Sequence, residues 1–325
     1  MTSLIQKTCK GKSEIKLTIA TYNNGDTSMK VYGANGEEVE NRDYVYETGS
    51  ITKTFTASLL AKYIHGGKMS LEDSIAKYVD GLNNNMYYPT LKRLATHTAG
   101  YRTHLPIAKK EYRKLAFEMI FKGCTNQGAF PFKMDLERMK QLLQEVKLAD
   151  EDYPFQYSNL GIALFGYAIG VVSGEGYKAT MQDFLINELG LQNTYTGTCP
   201  KKNLRGFTRN NKDIGNWVWG EDLTASAGDL SSTADDLLEY ARINIEDEKP
   251  YLALCHQKHV AAKKFDVGLG WRLEKNNNHI LWHPGGTGAF SSFLGIDKKK
   301  KQAAVVLSNY LINPERVGMA VLKNI

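Results

Sequence analysis

The stretch YETGSITKTFTASLLAKYI, residues 46–64, places a serine and a lysine three positions apart at the start of an apolar segment. The apolar side chains that follow recur on one face of an α-helix, at Phe55, Leu59, Leu60, Tyr63 and Ile64. Ser50 and Lys53 fall in the first turn of that helix. A serine in this position either caps the helix or acts as a nucleophile, and the rest of the chain decides between the two.

The composition is that of a folded globular protein. Of the 325 residues, 42% are apolar and 23% are charged, with 29 Gly and 8 Pro, which excludes collagenous, low-complexity and disordered classes. The net charge of +6 is a mild excess, and its one dense run is DKKKKQ, residues 297–302. No aromatic residues interleave with this run, so it indicates a charged hairpin tip, and we expect no nucleic-acid partner.

The cysteines and histidines show no metal-binding pattern. Cys9, Cys124, Cys199 and Cys255 are far apart and form no CxxC pair, which fits neither a zinc site nor a dense disulfide framework. His256 and His259 are three apart with no third partner nearby. We therefore expect no metal and no cofactor.

The N-terminal residues 1–20 contain no apolar run long enough for a signal peptide, and no other segment is long enough to span a bilayer. As the sequence stands this predicts a cytoplasmic protein; removal of a leader would instead place it in the cell envelope. The oligomeric state is left open.

Strand patterns occur at both ends of the chain. IKLTIATY and SMKVYGA flank the hairpin signal NNGDT near the N-terminus, and GLGWRLEK, HILWHP, AFSSFLGID and QAAVVLSNY follow late in the chain. The last segment begins with Asn313 and Pro314, a capping residue and a proline suited to the first helical position.

Between these ends, residues 76–215 are rich in helical periodicity. We expect an α+β fold (an α/β sandwich), with an antiparallel sheet flanked by helices and an inserted, mainly helical lobe. Residues 1–75 and 216–325 form the discontinuous sheet domain in this prediction, and residues 76–215 form the helical domain.

Three ordered motifs favour the nucleophile over the cap. Ser50-x-x-Lys53 is followed by Tyr157-Ser-Asn159, and then by WHPGGTGAF at residues 282–290. This order resembles the penicillin-recognising serine hydrolases: class C β-lactamases, D-Ala-D-Ala carboxypeptidases, D-aminopeptidases and related esterases. The resemblance runs from about residue 15 to the C-terminus and implies a β-lactamase/transpeptidase-like fold.

The resemblance implies a catalytic role for Ser50, Lys53 and Tyr157. Lys53 lies one helical turn from Ser50 and can reach its oxygen. It can accept a proton only as a neutral amine, which a dry, positively charged site favours. Tyr157 is implied as the partner base or proton shuttle, with an ordinary buried tyrosine as the alternative. Asn159 is implied as a ligand of a substrate amide or of the lysine, with helix capping as its alternative.

The glycine-rich motif is implied to bind substrate and the developing negative charge. His283 occupies the position of the lysine in the Lys-Thr-Gly motif of class C β-lactamases, which argues against efficient β-lactamase activity. Gly285 and Gly286 allow close approach of the backbone, and the N–H groups of Gly286 and Ser50 are implied to form an oxyanion hole. His97 in LATHTAGY is interpreted as a buried structural histidine that joins the lobes, whereas Ser226 and Trp219 are candidate residues of the cleft.

The leading hypothesis is a serine hydrolase that cleaves a D-amino-acid peptide, a small ester or a β-lactam through acyl-Ser50, with a small molecule or short peptide as its substrate. The alternative is a penicillin-binding sensor that is acylated without turnover. A catalytically inactive interaction domain ranks lower, because all three catalytic residue types are present.

Overall fold

The computed structural model describes residues 1–101, 134–197, 199–201, 204–217, 219 and 222–325. Part of the predicted helical domain, residues 102–133 with Cys124, lies outside the described residues. The helices are α1 Thr2–Cys9, α2 Thr52–His65, α3 Leu91–Ala95, α4 Leu136–Glu145, α5 Asn159–Ser173, α6 Tyr177–Asp183, α7 Ala234–Ile245, α8 Ala253–His256 and α9 Pro314–Leu322. The strands are β1 Leu17–Asn23, β2 Asp26–Tyr32, β3 Glu38–Val39, β4 Tyr46–Glu47, β5 Gly206–Phe207, β6 Asp213–Gly215, β7 Ser231–Ser232, β8 Val260–Ala261, β9 Asp266–Val267, β10 Arg272–Glu274, β11 Asn277–Gly286, β12 Ser291–Asp297 and β13 Gln302–Ser308.

A nine-stranded antiparallel sheet in the described residues unites both ends of the chain. Its order is β3-β2-β1-β13-β12-β11-β10-β9-β8. The N-terminal strand β1 pairs with β13 in the register Leu17↔Ser308 to Asn23↔Gln302. The predicted hairpin connects β1 to β2, and its turn residues Asn24 and Gly25 both have positive φ, which suits a two-residue turn. The α+β fold predicted from the strand and helix patterns is confirmed.

Helices cover both faces of the sheet. Strands β12 and β13 are buried at every residue, so their side chains alternate between two apolar layers. Phe293 and Val306 pack with α1 and α9, whereas Leu294 and Val305 face the cluster that contains α2, α5 and α7. This second layer contains the motif residues.

The helix of the opening motif starts later than its sequence suggests. A 3₁₀ turn, Gly49–Ile51, precedes α2, and the N-cap residue is Ile51, without a side-chain cap. Ser50 therefore lies in this 3₁₀ turn and not in the first turn of α2 as predicted, and the capping alternative for it is wrong, so its hydroxyl is available for other partners. The first ten residues of α2, Thr52–Ala61, are all buried, because the helix is packed on several sides.

Helix α5 brings the second motif toward α2. Ser158 is its N-cap, with a side chain that accepts a hydrogen bond from Gly161 N, and Gly174 ends it with φ 79°. The helix packs against the 3₁₀ turn Leu223–Ala227, where a Cβ atom on Gly166 would lie 2.4 Å from the Cβ of Ser226. The division of the chain at residues 75/76 and 215/216 stays a prediction.

Two local predictions can be compared with the structure. Asn313 caps α9 with Pro314 in its first turn, as predicted. The segment GLGWRLEK forms only the three-residue strand Arg272–Glu274, which is shorter than predicted. Elsewhere, Thr233 caps α7, and the helix that begins at Tyr177 changes to a π turn at Phe184–Glu188.

Among the described residues, no single helix is long and apolar enough to cross a bilayer; Asn159–Ser173 and Tyr177–Glu188 reach that length and composition only as two segments bent by 78°. Within the same ranges, no group of three or more potential ligand side chains is arranged to hold a metal ion. Cys9 and Cys255 are buried free thiols, and Cys199 is also buried.

Candidate active site

The side chains of Lys53 and Tyr157, which come from separate parts of the sequence, meet at the hydroxyl of Ser50. The Nζ atom of Lys53 lies 3.0 Å from Ser50 Oγ, and the hydroxyl of Tyr157 donates to the same oxygen over 2.7 Å. The Nζ atom also lies 4.9 Å from the centre of the Tyr157 ring. Ser50 itself is half-buried and thus reachable by a ligand. The structure brings together the three residues predicted to be catalytic.

The backbone on each side explains this convergence. Ser50 and Lys53 lie on consecutive turns, the 3₁₀ turn and the start of α2, so both side chains point to the same side. Tyr157 lies in the segment just ahead of α5, before the chain becomes helical. Its ring can therefore reach across to α2.

Lys53 is fully buried without a carboxylate partner among the described residues. Its Nζ atom donates to the carbonyl oxygen of Ala227 over 2.6 Å, in addition to its contact with Ser50. Burial lowers the pKa of the Lys53 amine well below its usual value of 10.5, because the ammonium form loses its hydration. The neutral amine, which can accept a proton, is thereby favoured.

The phenol of Tyr157 is shifted in the opposite direction. Burial raises the pKa of Tyr157 above its usual value of 10.0, and the hydrogen bond with Ser50 and the charge of Arg272 only partly offset this. Both groups are thus held in their neutral forms. A neutral amine and a neutral phenol on one hydroxyl can accept and return protons without a net charge in the resting site.

The glycine-rich strand β11 packs directly on the backbone of the 3₁₀ turn. A Cβ atom on Gly285 would lie 2.1 Å from Thr48 O and 3.1 Å from Ser50 N. A Cβ atom on Gly49, which has φ 52°, would lie 2.7 Å from Gly286 N. Only glycine permits this approach, which places the two predicted oxyanion-hole segments in contact. The hydroxyl of Ser292 fixes the junction by donating to Thr48 O over 2.6 Å.

His283 lies on β11 beside the same site. Its ring is 3% exposed, its Nδ1 atom lies 2.7 Å from the carbonyl oxygen of Pro284, and its ring centre lies 6.2 Å from that of Tyr157. Burial, together with the charge of Arg272, lowers the pKa of His283 well below 6.5. A neutral imidazole therefore occupies the position that the resemblance assigns to a lysine.

Asn159 is the first residue of α5, directly after its capping residue. Because Ser158 supplies the cap, the capping alternative for Asn159 is wrong. The Oδ1 atom of Asn159 is buried and has no hydrogen-bond partner among the described residues. This oxygen, two residues after Tyr157, can accept a hydrogen bond from an N–H group of a ligand.

Two residues near the site could not be found from the sequence motifs. Ala227 contributes only its carbonyl oxygen to Lys53, which no side-chain pattern reveals. Arg272 acts through its charge on Tyr157 and His283, and is itself paired with Glu315 at 3.0 Å.

Ser226 and Trp219, which the sequence analysis placed in the cleft, differ in their surroundings. Ser226 is 1% exposed and bonds to backbone carbonyl oxygens, so its assignment to the cleft is wrong. Trp219 packs over Gly228, where a Cβ atom would lie 2.7 Å from its ring.

The chain is similar to known proteins over most of its length. A family model described as Beta-lactamase matches residues 5–323. A β-lactamase of Pseudomonas fluorescens is 24% identical over 94% of this chain and 91% of its own length. Protein flp of Staphylococcus aureus (strain MW2) is 24% identical over 84% of this chain, which spans 54% of flp.

Solved structures share the fold. A β-lactamase/D-alanine carboxypeptidase from Pseudomonas syringae is 21% identical with a TM-score of 0.77, and the match covers 98% of this chain and 94% of that one. An octameric penicillin-binding protein homologue from Pyrococcus abyssi is 20% identical with a TM-score of 0.77, over 99% of this chain and 74% of that one. The chain belongs to the β-lactamase family.

Proposed function

We propose that this protein is a serine hydrolase that cleaves an ester or an amide through an acyl-Ser50 intermediate. The observation that carries the proposal is the convergence of Lys53 Nζ and the Tyr157 hydroxyl on Ser50 Oγ, at 3.0 and 2.7 Å. A serine hydroxyl becomes a nucleophile when an adjacent base removes its proton, and these distances allow direct transfer.

Acylation needs one proton transfer from the serine and one to the leaving group. Ser50 Oγ attacks the carbonyl carbon while its proton passes to the neutral amine of Lys53. The hydroxyl of Tyr157 gives its proton to the leaving oxygen or nitrogen as the C–O or C–N bond breaks, and regains one from the Lys53 ammonium. Water then attacks the acyl-serine ester by the reverse set of transfers, and the acid product leaves.

The negative charge of the tetrahedral intermediate needs nearby donors. Contact between the 3₁₀ turn and β11 supports an oxyanion hole formed by the N–H groups of Ser50 and Gly286. Loss of one such donor costs about 3 kcal/mol of transition-state stabilisation in well-studied hydrolases.

The electrostatics of His283 bear on the substrate. Because burial keeps its imidazole neutral, strand β11 presents no fixed cation at this position to a substrate carboxylate. This supports a small ester or the amide of a D-amino acid, ahead of a β-lactam or a peptide recognised by its C-terminal carboxylate. The relatives named as β-lactamase and as β-lactamase/D-alanine carboxypeptidase make those two activities the necessary comparisons.

The test compares p-nitrophenyl acetate, a D-alanine p-nitroanilide, a D-Ala-D-Ala peptide and a chromogenic cephalosporin. We expect turnover of the first two to exceed that of the others, and Ser50→Ala to abolish it. Ser70→Ala is the matched control, since Ser70 is exposed and its hydroxyl accepts a hydrogen bond from Glu72 N. Full activity of Ser50→Ala would refute the mechanism.

Mass spectrometry of the intact protein separates turnover from mere acylation. A hydrolase gains the acyl mass briefly during turnover and loses it when substrate is exhausted. An adduct on Ser50 that persists for hours, without release of acid product from any substrate, would identify the penicillin-binding sensor instead.

A further inference from the structure

His97 is a buried histidine outside the set of reacting groups, and its backbone is unusual. It lies just after α3 with φ 61°, a left-handed conformation that is uncommon for residues other than glycine. The residue is 6% exposed. A strained backbone that the surrounding structure maintains indicates that the position of this residue matters.

Two hydrogen bonds from the segment that carries Tyr157 end on His97. The N–H of Gln156 donates to the carbonyl oxygen of His97 over 2.8 Å. The N–H of Ser158 donates to the Nδ1 atom of the same histidine over 3.1 Å. One residue thus accepts from both neighbours of Tyr157.

The ring of His97 also packs against the ring of Tyr157, with a centroid distance of 4.7 Å and an interplanar angle of 36°. Since Nδ1 accepts a hydrogen bond, the imidazole is neutral with its proton on Nε2. Burial is the main cause that lowers the pKa of His97 to about 3, so this acceptor persists throughout the neutral range.

We propose that His97 is a positioning residue that holds the hydroxyl of Tyr157 at Ser50 through its hydrogen bonds to the two flanking backbone N–H groups. This inference rests on the proposed function, because it concerns the proton transfers assigned to Tyr157. The left-handed turn lets the carbonyl oxygen and the ring of one residue face the same extended segment. Misplacement of a catalytic group by about 1 Å can reduce turnover about a hundredfold.

The test uses variants that separate the side-chain acceptor from the backbone conformation. In His97→Asn, the side-chain oxygen takes the place of Nδ1, and asparagine tolerates positive φ. His97→Leu has nearly the same shape as His97→Asn but no acceptor, and His97→Gly adopts the turn without strain and also lacks the acceptor. If the leucine variant does not fold, the glycine variant provides the comparison.

We expect kcat of His97→Asn to stay within about threefold of the wild type, and kcat of His97→Leu and His97→Gly to fall by about thirtyfold or more. KM should change by less than about threefold in all three variants, because His97 is assigned no contact with substrate. Rescue by asparagine and a change confined to kcat are not expected of a residue that only stabilises the fold.

A double-mutant cycle completes the test. If His97 acts through the Tyr157 hydroxyl, His97→Gly should lower kcat by less than about threefold in a Tyr157→Phe background. An equal loss in both backgrounds would overturn the inference. So would full kcat in His97→Gly while turnover still requires Ser50. Turnover that survives Ser50→Ala would overturn the proposed function and this inference together.

Discussion

At the scale of single residues, the environment of Lys53 determines its chemistry. Lysine is usually an exposed cation, yet this side chain is fully buried against a carbonyl and a hydroxyl oxygen. Desolvation disfavours its ammonium form, so the folded protein holds fewer protons at neutral pH than the unfolded chain does. The desolvation that favours the neutral Lys53 amine therefore also lowers the stability of the folded protein at neutral pH.

This linkage predicts the pH dependence of stability in Lys53→Met. The pKa of Lys53 is lowered in the folded state, so wild-type stability rises with pH between the folded pKa and the unfolded value of 10.5. The methionine variant has no amine at this position, so its stability lacks this dependence on pH. We expect its free energy of unfolding, relative to wild type, to fall by up to about 1.4 kcal/mol per pH unit as pH rises through that window.

Urea denaturation at a series of pH values from 6 to 10 measures this difference. Lys62→Met is the control, because Lys62 is partly exposed and paired with Glu188. Parallel stability profiles for the wild type and Lys53→Met would contradict a neutral amine in the folded protein.

Tyr157→Phe tests the phenol at the residue scale. Removing the hydroxyl that donates to Ser50 should lower kcat by about a hundredfold or more while the fold stays intact. Tyr177→Phe is a matched control, since Tyr177 is also half-buried and its hydroxyl lies 2.7 Å from the hydroxyl of Thr56. Kinetics and circular dichroism of both variants decide the matter. A Tyr157→Phe variant that unfolds would indicate a core tyrosine.

At the scale of elements, the site depends on contact between the 3₁₀ turn Gly49–Ile51 and strand β11. The register of β11 with β12 places Gly285 opposite Ser292, whose hydroxyl binds Thr48 O and holds the turn against the strand. The main chains of the turn and the strand approach each other so closely that a side chain larger than hydrogen is excluded at Gly49 and Gly285. The 3₁₀ turn, strand β11 and the loop that carries Tyr157 are distant in sequence, and together they form the site.

Two neighbouring glycines test this contact. In Gly285→Ala the new methyl group would lie 2.1 Å from Thr48 O and 2.2 Å from Ser292 Oγ. We therefore expect the free energy of unfolding to fall by about 3 kcal/mol and most of the turnover to be lost. In Gly286→Ala the nearest atom would be 3.5 Å away, and the backbone N–H is retained.

Gly286→Ala should therefore keep its melting temperature and retain turnover within about threefold of the wild type. Thermal denaturation and esterase kinetics on both proteins give the comparison. Equal behaviour of the two alanine variants would mean that the turn and the strand are not packed as described.

At the scale of the whole molecule, both ends of the chain form one sheet. Strand β1 lies between β2 and β13, so the N-terminal segment is central to the sheet. Asn309, which is fully buried, ties three segments together: its side chain accepts from Lys16 N and donates to Glu14 O and Arg205 O, at 2.8, 3.0 and 3.0 Å. These contacts span nearly the full length of the sequence.

Asn309→Leu should destabilise the whole molecule. The apolar isostere leaves one backbone N–H and two carbonyl groups without their partner, and we expect a loss of about 3 kcal/mol in unfolding free energy. Asn278→Leu, at an exposed position of β11, is the control and should change stability by less than about 0.5 kcal/mol. Chemical denaturation of both variants measures this, and comparable losses would contradict the bridging role of Asn309.

The sequence by itself determined the elements that depend on local physics. Alternation and the Asn24–Gly25 turn predicted the β1–β2 hairpin, and Asn313 with Pro314 predicted the start of the last helix, because turn geometry and capping involve residues close in the chain. Three ordered motifs also led to Ser50, Lys53 and Tyr157. In contrast, the sequence placed Ser50 in the first turn of the helix, whereas it lies in a 3₁₀ turn that precedes the helix.

Only the tertiary structure decided which groups meet and in what state of protonation. Hydrogen bonds join Lys53 to Ala227 O, and join His97 to the segment that carries Tyr157, across long separations in the sequence. The neutral form of His283 likewise results from burial in the folded protein. Their effect depends on burial and distance, since desolvation and hydrogen bonding act through space. A linear pattern states which residue types are present, whereas packing of the chain determines the electric environment that gives them their chemistry.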